Sequence, residues 1–492
     1  MIPKIQLAPD LHISRVLTGL WQIADMEKEG TTLDPLVTAE AMAPYVEAGL
    51  STFDMADHYG SAEVIAGTFQ RQHPLGKRAQ LCTKWVPKPG KSSKAETRAA
   101  IQLSLDRLQV ASIDLLQYHC WHYPDPVWLD QLFWLQELQE EGLIKHLGLT
   151  NFDAAHVRMA CATGIPIVSN QVCFSLLDGR ASREMTEVCR EYGVKILAFG
   201  VLAGGFFSEK WLNQPEPSLD TGATWSQMKY KRFIDTTGGW ARFQQLLAVV
   251  HQIAQKHGVS IATVAGKYIL EQAEVGGIII GARLGQSAHL DETAKLFSFA
   301  LDESDRRLIR EAQSKLDPVP GDCGDEYRKP PFLTASGDLS HHLQDLPSPY
   351  TPQAGANGSM QVFSGTPWES IAGYSRAIRR GNRISVSGTT SAHRDKLIGG
   401  TDPAAQTHFV LDKIEAAINA LGGTMEDVIR TRVFVHNLSD WEPVARAHGQ
   451  RFAGIHPANT LVEAKLVATG CLVEIEAEVE VLEENRPYFP PK

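Results

Sequence analysis

From residue 13 to about 310 the chain alternates short apolar runs with helix-length amphipathic stretches. The runs at 16–21, 51–56, 80–85, 113–119, 146–151, 167–172, 195–201 and 277–282 have strand length. The segments between them, such as 97–107 and 128–141, carry apolar residues at helical spacing. Eight β-then-α units over about 300 residues predict an α/β chain folded as a (β/α)8 TIM barrel rather than a doubly wound sheet. After the seventh run comes an irregular stretch, 204–239, containing Trp211, Trp225 and Phe233. A loop at that point lies at the C-terminal mouth of a barrel, where it shapes substrate access or packs on the rim.

Past residue 314 the pattern breaks. Residues 315–360 are rich in Pro, Gly, Ser and Asp, as in Pro318-Val319-Pro320-Gly321-Asp322 and Pro347-Ser348-Pro349, and read as a linker. A second pattern follows, with strands expected at 374–378, 383–386, 429–436, 461–466 and 472–481 and helices at 403–421 and 441–452. It predicts a small α+β domain. The expected division is a barrel at 1–314, a linker at 315–360 and a second domain at 361–492, with no repeat between the halves.

Composition narrows the function classes. A chain of 492 residues exceeds what one core usually holds. A net charge of −10 counts against nucleic acid as a partner, because phosphate binding needs a concentrated basic face. No apolar run approaches the roughly 18–20 residues that span a bilayer, so no membrane partner is expected. Lys4, Asp10 and Arg15 interrupt the N-terminus, and no secretory signal is read there. Seven cysteines lie scattered without metal-type spacing. The expectation is a reduced cytoplasmic protein with no metal site and a small-molecule substrate.

Candidate chemistry sits at the ends of successive strands. Asp54 lies near the end of the second apolar run, Tyr59 follows it, Lys84 lies near the end of the third and His119 ends the fourth. In a parallel barrel these ends converge on one mouth. Reduction of a carbonyl needs hydride at carbon and a proton at oxygen. A tyrosine can give that proton if a neighbouring ammonium lowers its pKa. Lys84 is the expected neighbour, with Asp54 as its counter-ion and His119 orienting the substrate oxygen. Taken singly, each residue is equally at home capping a turn or packing a core.

The segment 53–63, with Thr83-Lys84, Asp114-Leu115-Leu116-Gln117-Tyr118-His119, Gly148-Leu149-Thr150-Asn151-Phe152, Asn170-Gln171 and Gly281-Ala282-Arg283, resembles the aldo-keto reductase superfamily over about residues 10–312. The resemblance implies that Asp54, Tyr59, Lys84 and His119 are the catalytic tetrad, with Tyr59 as the acid. It implies that Asn151 and Gln171 hold the nicotinamide carboxamide, that Phe199 stacks on the nicotinamide with Leu202 near it, and that Trp21, Trp85 and Trp121 line the substrate pocket. It also implies a nicotinamide cofactor without a Rossmann fingerprint, NADP(H) in preference to NAD(H), with Arg283 in the segment 281–289 facing the 2′-phosphate. The expected Glu-x-Asn pattern is not evident around 291–293.

The later segments Gly373-Tyr374-Ser375-Arg376-Ala377, Val386-Ser387-Gly388-Thr389, Thr431-Arg432-Val433-Phe434-Val435 and Val473-Glu474-Ile475-Glu476-Ala477 resemble the RidA/YjgF family over about 370–482. That family has a chorismate-mutase-like α+β fold, forms homotrimers and includes imine and enamine deaminases. The resemblance places Tyr374, Ser387, Asn459 and Glu476 in its pocket. Active members carry arginine where this chain has Asn459, and a short neutral amide cannot replace that charged fork, which counts against deaminase activity. Three readings stand. One is an NAD(P)H-dependent reductase of an aldehyde, ketone or related imine, with a C-terminal module for trimerisation or ligand binding. The second is a bifunctional imine or enamine hydrolase and carbonyl reductase. The third is a non-catalytic cofactor-sensing scaffold.

Overall fold

The computed structural model describes residues 2–28, 30–219, 222–286, 289–344 and 346–482. A hairpin of β1 (Lys4–Ala8) and β2 (Leu11–Ser14) precedes eight strands: β3 (Val16–Gly19), β4 (Thr52–Asp54), β5 (Gln80–Trp85), β6 (Ile113–His119), β7 (Ile144–Thr150), β8 (Ile167–Cys173), β9 (Lys195–Phe199) and β10 (Val275–Gly281). These eight are parallel and close in sequence order, with β10 pairing back onto β3. Leu7, Leu11 and Ile13 of the hairpin region pack with Leu17, Cys82, Leu115 and Leu197. They fill the end of the barrel where the strands begin, leaving the strand C-termini as the open mouth.

Local chemistry explains where the elements differ from the sequence pattern. The helix expected at 97–107 begins at Lys94, because Ser93 and Glu96 cap each other reciprocally. The stretch 204–239 is not wholly irregular. Thr224 and Gln227 form the same kind of cap and start the helix Trp225–Thr236.

The expected linker is folded onto the barrel for most of its length. Val319, Cys323 and Leu333 join the barrel's apolar cluster, and Asp325–Arg328 makes one helical turn. Its Pro and Gly residues set turns, while anchors at 319, 323 and 327 are buried. We refer to residues 317–344 as the strap.

The second domain starts earlier than composition suggests. Its strands are β11 (Gln353–Ala354), β12 (Met360–Val362), β13 (Ala377–Arg380), β14 (Arg383–Thr390), β15 (Ala392–His393), β16 (Lys396–Leu397), β17 (Val428–Val435), β18 (Ala458–Glu463) and β19 (Val473–Glu480). Seven form one sheet in the order β11-β12-β13-β14-β19-β17-β18, and β15 pairs with β16. β11 lies in the expected linker and β12 begins at its last residue; β11 pairs antiparallel with β12, and β12 with β13. Along β19, Val473, Ile475, Ala477 and Val479 are buried and the four glutamates alternate with them. The apolar side packs against the helix Pro403–Ala420, so the glutamates lie on the sheet's open side. Ile398 and Phe409 are fully buried in the barrel's own cluster. At about 1.5–3 kcal/mol for each such side chain, they hold the second domain to the barrel wall. No helix among the described residues is long and apolar enough to cross a membrane.

Candidate functional site

Strand alternation puts Asp54, Lys84, Gln117 and Gln171 inside the barrel near its mouth. Lys84 Nζ lies 2.7 Å from Asp54 Oδ2 and donates to the Met55 carbonyl at 2.8 Å. Asp54 Oδ1 accepts from Gln117 Nε2 at 3.0 Å and from Gln171 Nε2 at 2.7 Å. Every member of this network is buried. Gly148 makes room for it: a Cβ there would lie 2.6 Å from Ser169 Oγ and 3.3 Å from Gln117 Cγ. A buried ion pair costs desolvation on both sides, and the two amides repay part of it by satisfying the second carboxylate oxygen.

Tyr59 stands above this network. Lys84 Nζ is 4.9 Å from its ring centroid. The ring meets Trp21 edge-on at 5.0 Å. The net effect of the surroundings on the phenol is the reverse of the lowering that the sequence suggests. Burial, followed by the charge of Asp54, pushes Tyr59 well above the ordinary range. The positive charge of Lys84 is matched at close range by Asp54, so the phenol remains a protonated donor.

His119 ends β6 with its Nδ1 3.3 Å from the Thr150 carbonyl. Burial, reinforced by the nearby Arg328, drives its pKa well down, so the ring is neutral. Its Nε2 is buried without a hydrogen-bond partner among the described residues, and the same is true of Asn151 Oδ1. Both residues line one cavity of about 770 Å³, together with Asp54, Tyr59, Lys84, Gln171, Phe199, Leu202 and Arg283. This volume suits a cofactor with a small substrate. Two unpartnered polar atoms, an aromatic ring from Phe199 and the amide of Gln171 in one cavity fit a nicotinamide and its carboxamide.

The three tryptophans divide. Trp21 and Trp121 line the cavity, and Trp121 donates from Nε1 to the Pro87 carbonyl at 2.9 Å. Trp85 does not. It follows Lys84 on β5, so alternation turns it outward, where it packs 5.7 Å from Tyr118. Val86 lines the cavity instead. Arg283 also lines it, but its guanidinium is paired with Asp25. Residues 287 and 288 of the expected phosphate-binding segment lie outside the described residues.

Sequence reasoning missed the roof of the site. Tyr327 and Asp338 of the strap and Lys229 of the helix Trp225–Thr236 line the same cavity. Lys229 Nζ donates to Tyr327 Oη at 2.7 Å and lies 3.1 Å from Asp338. Burial alone would discharge Lys229; Asp338 and its other neighbours more than reverse that and hold it charged. Tyr327 meets the His119 ring at 5.7 Å. Arg328 donates to the carbonyls of Asn151 at 2.6 Å and Cys120 at 2.9 Å. Gly324 has φ of 81°, and a Cβ there would fall 1.9 Å from the Asn151 carbonyl oxygen. Only glycine lets the strap approach so closely. The anchors at 319, 323 and 327, four residues apart, are the one signal that could have separated this strap from a linker.

In the second domain the four expected pocket residues are not gathered within the chain. Asn459 sits on β18 opposite Thr431, and both side chains hydrogen-bond His448 Nε2, at 3.2 and 2.9 Å. That is the helix-covered side. Glu476 lies on the open side, where it accepts from Arg432 at 2.8 Å. Ser387 Oγ donates to the Ser375 carbonyl at 2.8 Å. Tyr374 has the Arg376 guanidinium 5.8 Å from its ring centroid.

The model of the aldo/keto reductase family matches residues 15–314, and that of a family described as endoribonuclease L-PSP matches residues 365–481. An uncharacterized protein of Streptomyces coelicolor is 38% identical over 119 residues, which is 24% of this chain and 89% of that protein. The NADH-specific methylglyoxal reductase of Escherichia coli is 24% identical over 336 residues, 63% of this chain and 97% of that enzyme. Among solved structures, a glycerol dehydrogenase of Gluconobacter oxydans matches with a TM-score of 0.52 at 22% identity, covering 65% of this chain and 97% of that one. At that identity the likeness shows the barrel fold alone.

Proposed function

The chain belongs to the aldo/keto reductase family of oxidoreductases, with a RidA/YjgF-like domain after the barrel, and from that premise we propose that the barrel reduces an aldehyde, a ketone or a related imine. The observation that carries the reading is the Tyr59 phenol held over the Asp54–Lys84 pair, in one cavity with the unpartnered His119 Nε2 and Asn151 Oδ1. When bound, a nicotinamide cofactor supplies the hydride. Asn151 and Gln171 would hold its carboxamide, and Phe199 and Leu202 would flank its ring. Neutral His119 hydrogen-bonds the substrate oxygen without competing to be the acid. Tyr59 delivers the proton to that oxygen, and Lys84 stabilises the phenolate left behind. Trp21, Trp121 and Tyr327 exclude water from the reacting carbonyl. The test is oxidation of NADPH and NADH against a panel of aldehydes, ketones and imines. Absence of turnover with every member while cofactor binds overturns the proposal.

NADP(H) is the form we infer, through Arg283. Its pairing with Asp25, and the carboxylate of Glu292 lining the same cavity, keep the margin small, with an expected preference below about tenfold, or about 1.4 kcal/mol. Arg283→Met is expected to weaken NADPH binding several-fold and leave NADH nearly unchanged when titrated by calorimetry. Equal losses for both would remove Arg283 from the 2′ position.

For the second domain we favour assembly or ligand binding over imine hydrolysis. Asn459 lies across the sheet from Glu476 and from its partner Arg432. The sheet's open side carries Arg432 and alternating glutamates, a patterned surface on which a homotrimer can form. Sedimentation of the full chain is expected to give three copies. A monomer at micromolar concentration rules the trimer out.

A further inference from the structure

The helix Pro403–Ala420 of the second domain packs on the barrel helix Ala154–Ala162. Most polar contacts there lie at the edge of the interface. His393 and Arg394 meet Asp130 at 3.0 and 2.8 Å, and Asp402 accepts from Arg158 at 2.7 Å and Tyr192 at 2.8 Å. One contact differs. Asp412, on the helix Pro403–Ala420, lies 2.9 Å from His156 Nε2, and the two side chains are 1% and 2% exposed. The other nitrogen of His156 lies 2.6 Å from Asp153 Oδ1. Burial would drive the proton from this ring, but the two carboxylates more than reverse that, raising it to about 9. Arg451 secures the second oxygen of Asp412 at 2.8 Å.

Asp153 is the residue that ties this chain of charges to the active site. It caps the helix Ala154–Ala162 by accepting from the His156 N–H at 2.8 Å. Its own N–H donates to Tyr123 Oη at 3.2 Å, and the Tyr123 ring stacks on His156 at 3.4 Å. Two residues before the cap stands Asn151, with φ of 58°. Asparagine enters that left-handed region more readily than most side chains, and contacts on both flanks hold it there. The Arg328 contact grips one side of the turn and the Asp153 cap the other.

We propose that Asp412 is a positioning residue for the cofactor site: through His156 and Asp153, the second domain fixes the turn that presents Asn151 to the nicotinamide carboxamide. The proposal rests on the reading of Asn151 as the carboxamide's partner. It makes the second domain a working part of the reductase site. Without Asp412 the buried imidazolium loses one of its two carboxylates, and the shared oxygen of Asp153 is no longer held in the capping position.

The test is calorimetric titration of the full chain with NADPH and with 2′-phospho-ADP-ribose, the same molecule without nicotinamide. Asp412→Asn is expected to weaken NADPH about tenfold, within the range of coupling through packed networks, and to leave the fragment within twofold. Asp130→Asn, which breaks an interface contact off this path, is expected to change neither. Asn151→Ala measures the nicotinamide increment itself. If Asn151→Ala has no effect, the carboxamide reading fails. If Asn151→Ala loses the increment and Asp412→Asn keeps it, the positioning role is overturned. Equal weakening of NADPH and fragment by Asp412→Asn also overturns it, as general loosening. Should Asp412→Asn not fold, Arg451→Gln is expected to show the same split at about threefold, and an unchanged ratio there counts against the proposal.

Discussion

Tyr59→Phe is expected to slow carbonyl reduction by about three orders of magnitude while cofactor affinity stays within a few-fold of the parent. The substitution removes one oxygen and keeps the ring, so the contacts with Trp21 and Lys84 survive and the cavity wall holds its shape. What disappears is the proton donor, and a positioned general acid is worth about 10²–10⁴ in rate. The direction of the phenol's pKa adds a second expectation. Burial and Asp54 raise it, so Tyr59 stays protonated through the neutral and mildly alkaline range. The reduction rate is therefore expected not to fall through loss of this proton between about pH 6 and pH 9, below the ordinary tyrosine pKa near 10. Steady-state rates across that range, with calorimetry on the variant, check both statements. A variant that turns over normally identifies another group as the acid.

Arg180→Met is expected to be the most damaging single change to stability, at about 3–5 kcal/mol. Arg180 is buried between β8 and the strap. Its guanidinium lies 2.7 Å from Asp178 and 2.8 Å from Glu326, both carboxylates fully buried. It also donates to the Asp322 carbonyl at 2.8 Å. Burial disfavours its charge, and Glu326 with Asp178 outweighs that cost. Removing the cation leaves two carboxylates in the protein interior without the charge they are paired with, and the strap loses the staple that pins residues 322–326. Urea unfolding measures the loss. Thiol labelling at Cys323, buried in the parent, reports whether the strap lifts. An unchanged midpoint with Cys323 still protected shows that the triad does not hold the strap.

The barrel was legible because its strands are apolar runs of the right length between amphipathic helices. β5 and β6 lie where the pattern put them, at 80–85 and 113–119. Asp54, Lys84 and His119 were readable for the same reason: they stand at strand ends, and closure of the barrel brings those ends together. Trp85 was misplaced because the resemblance was carried over without regard to alternation, which turns the residue after an inward lysine outward. The strap was missed because a segment rich in Pro, Gly and Asp looks the same whether it is solvated or folded over a mouth. Its anchors, Val319, Cys323 and Tyr327, recur every four residues but only three times, a signal far weaker than the barrel's repeated pattern. The interdomain pair of His156 and Asp412 is 256 residues apart in the chain, and nothing local in either segment announces the other.

The strap has a practical consequence for anyone dividing this protein. A fragment cut at residue 314 would contain all eight barrel strands and the whole of the matched reductase segment. It would nonetheless be an unroofed enzyme, lacking Tyr327 and Asp338 from its substrate chamber and leaving Lys229 without either partner. A cut some thirty residues further on, after residue 344, would keep that roof and still lose Asp412, the residue that supports the Asn151 turn from the second domain.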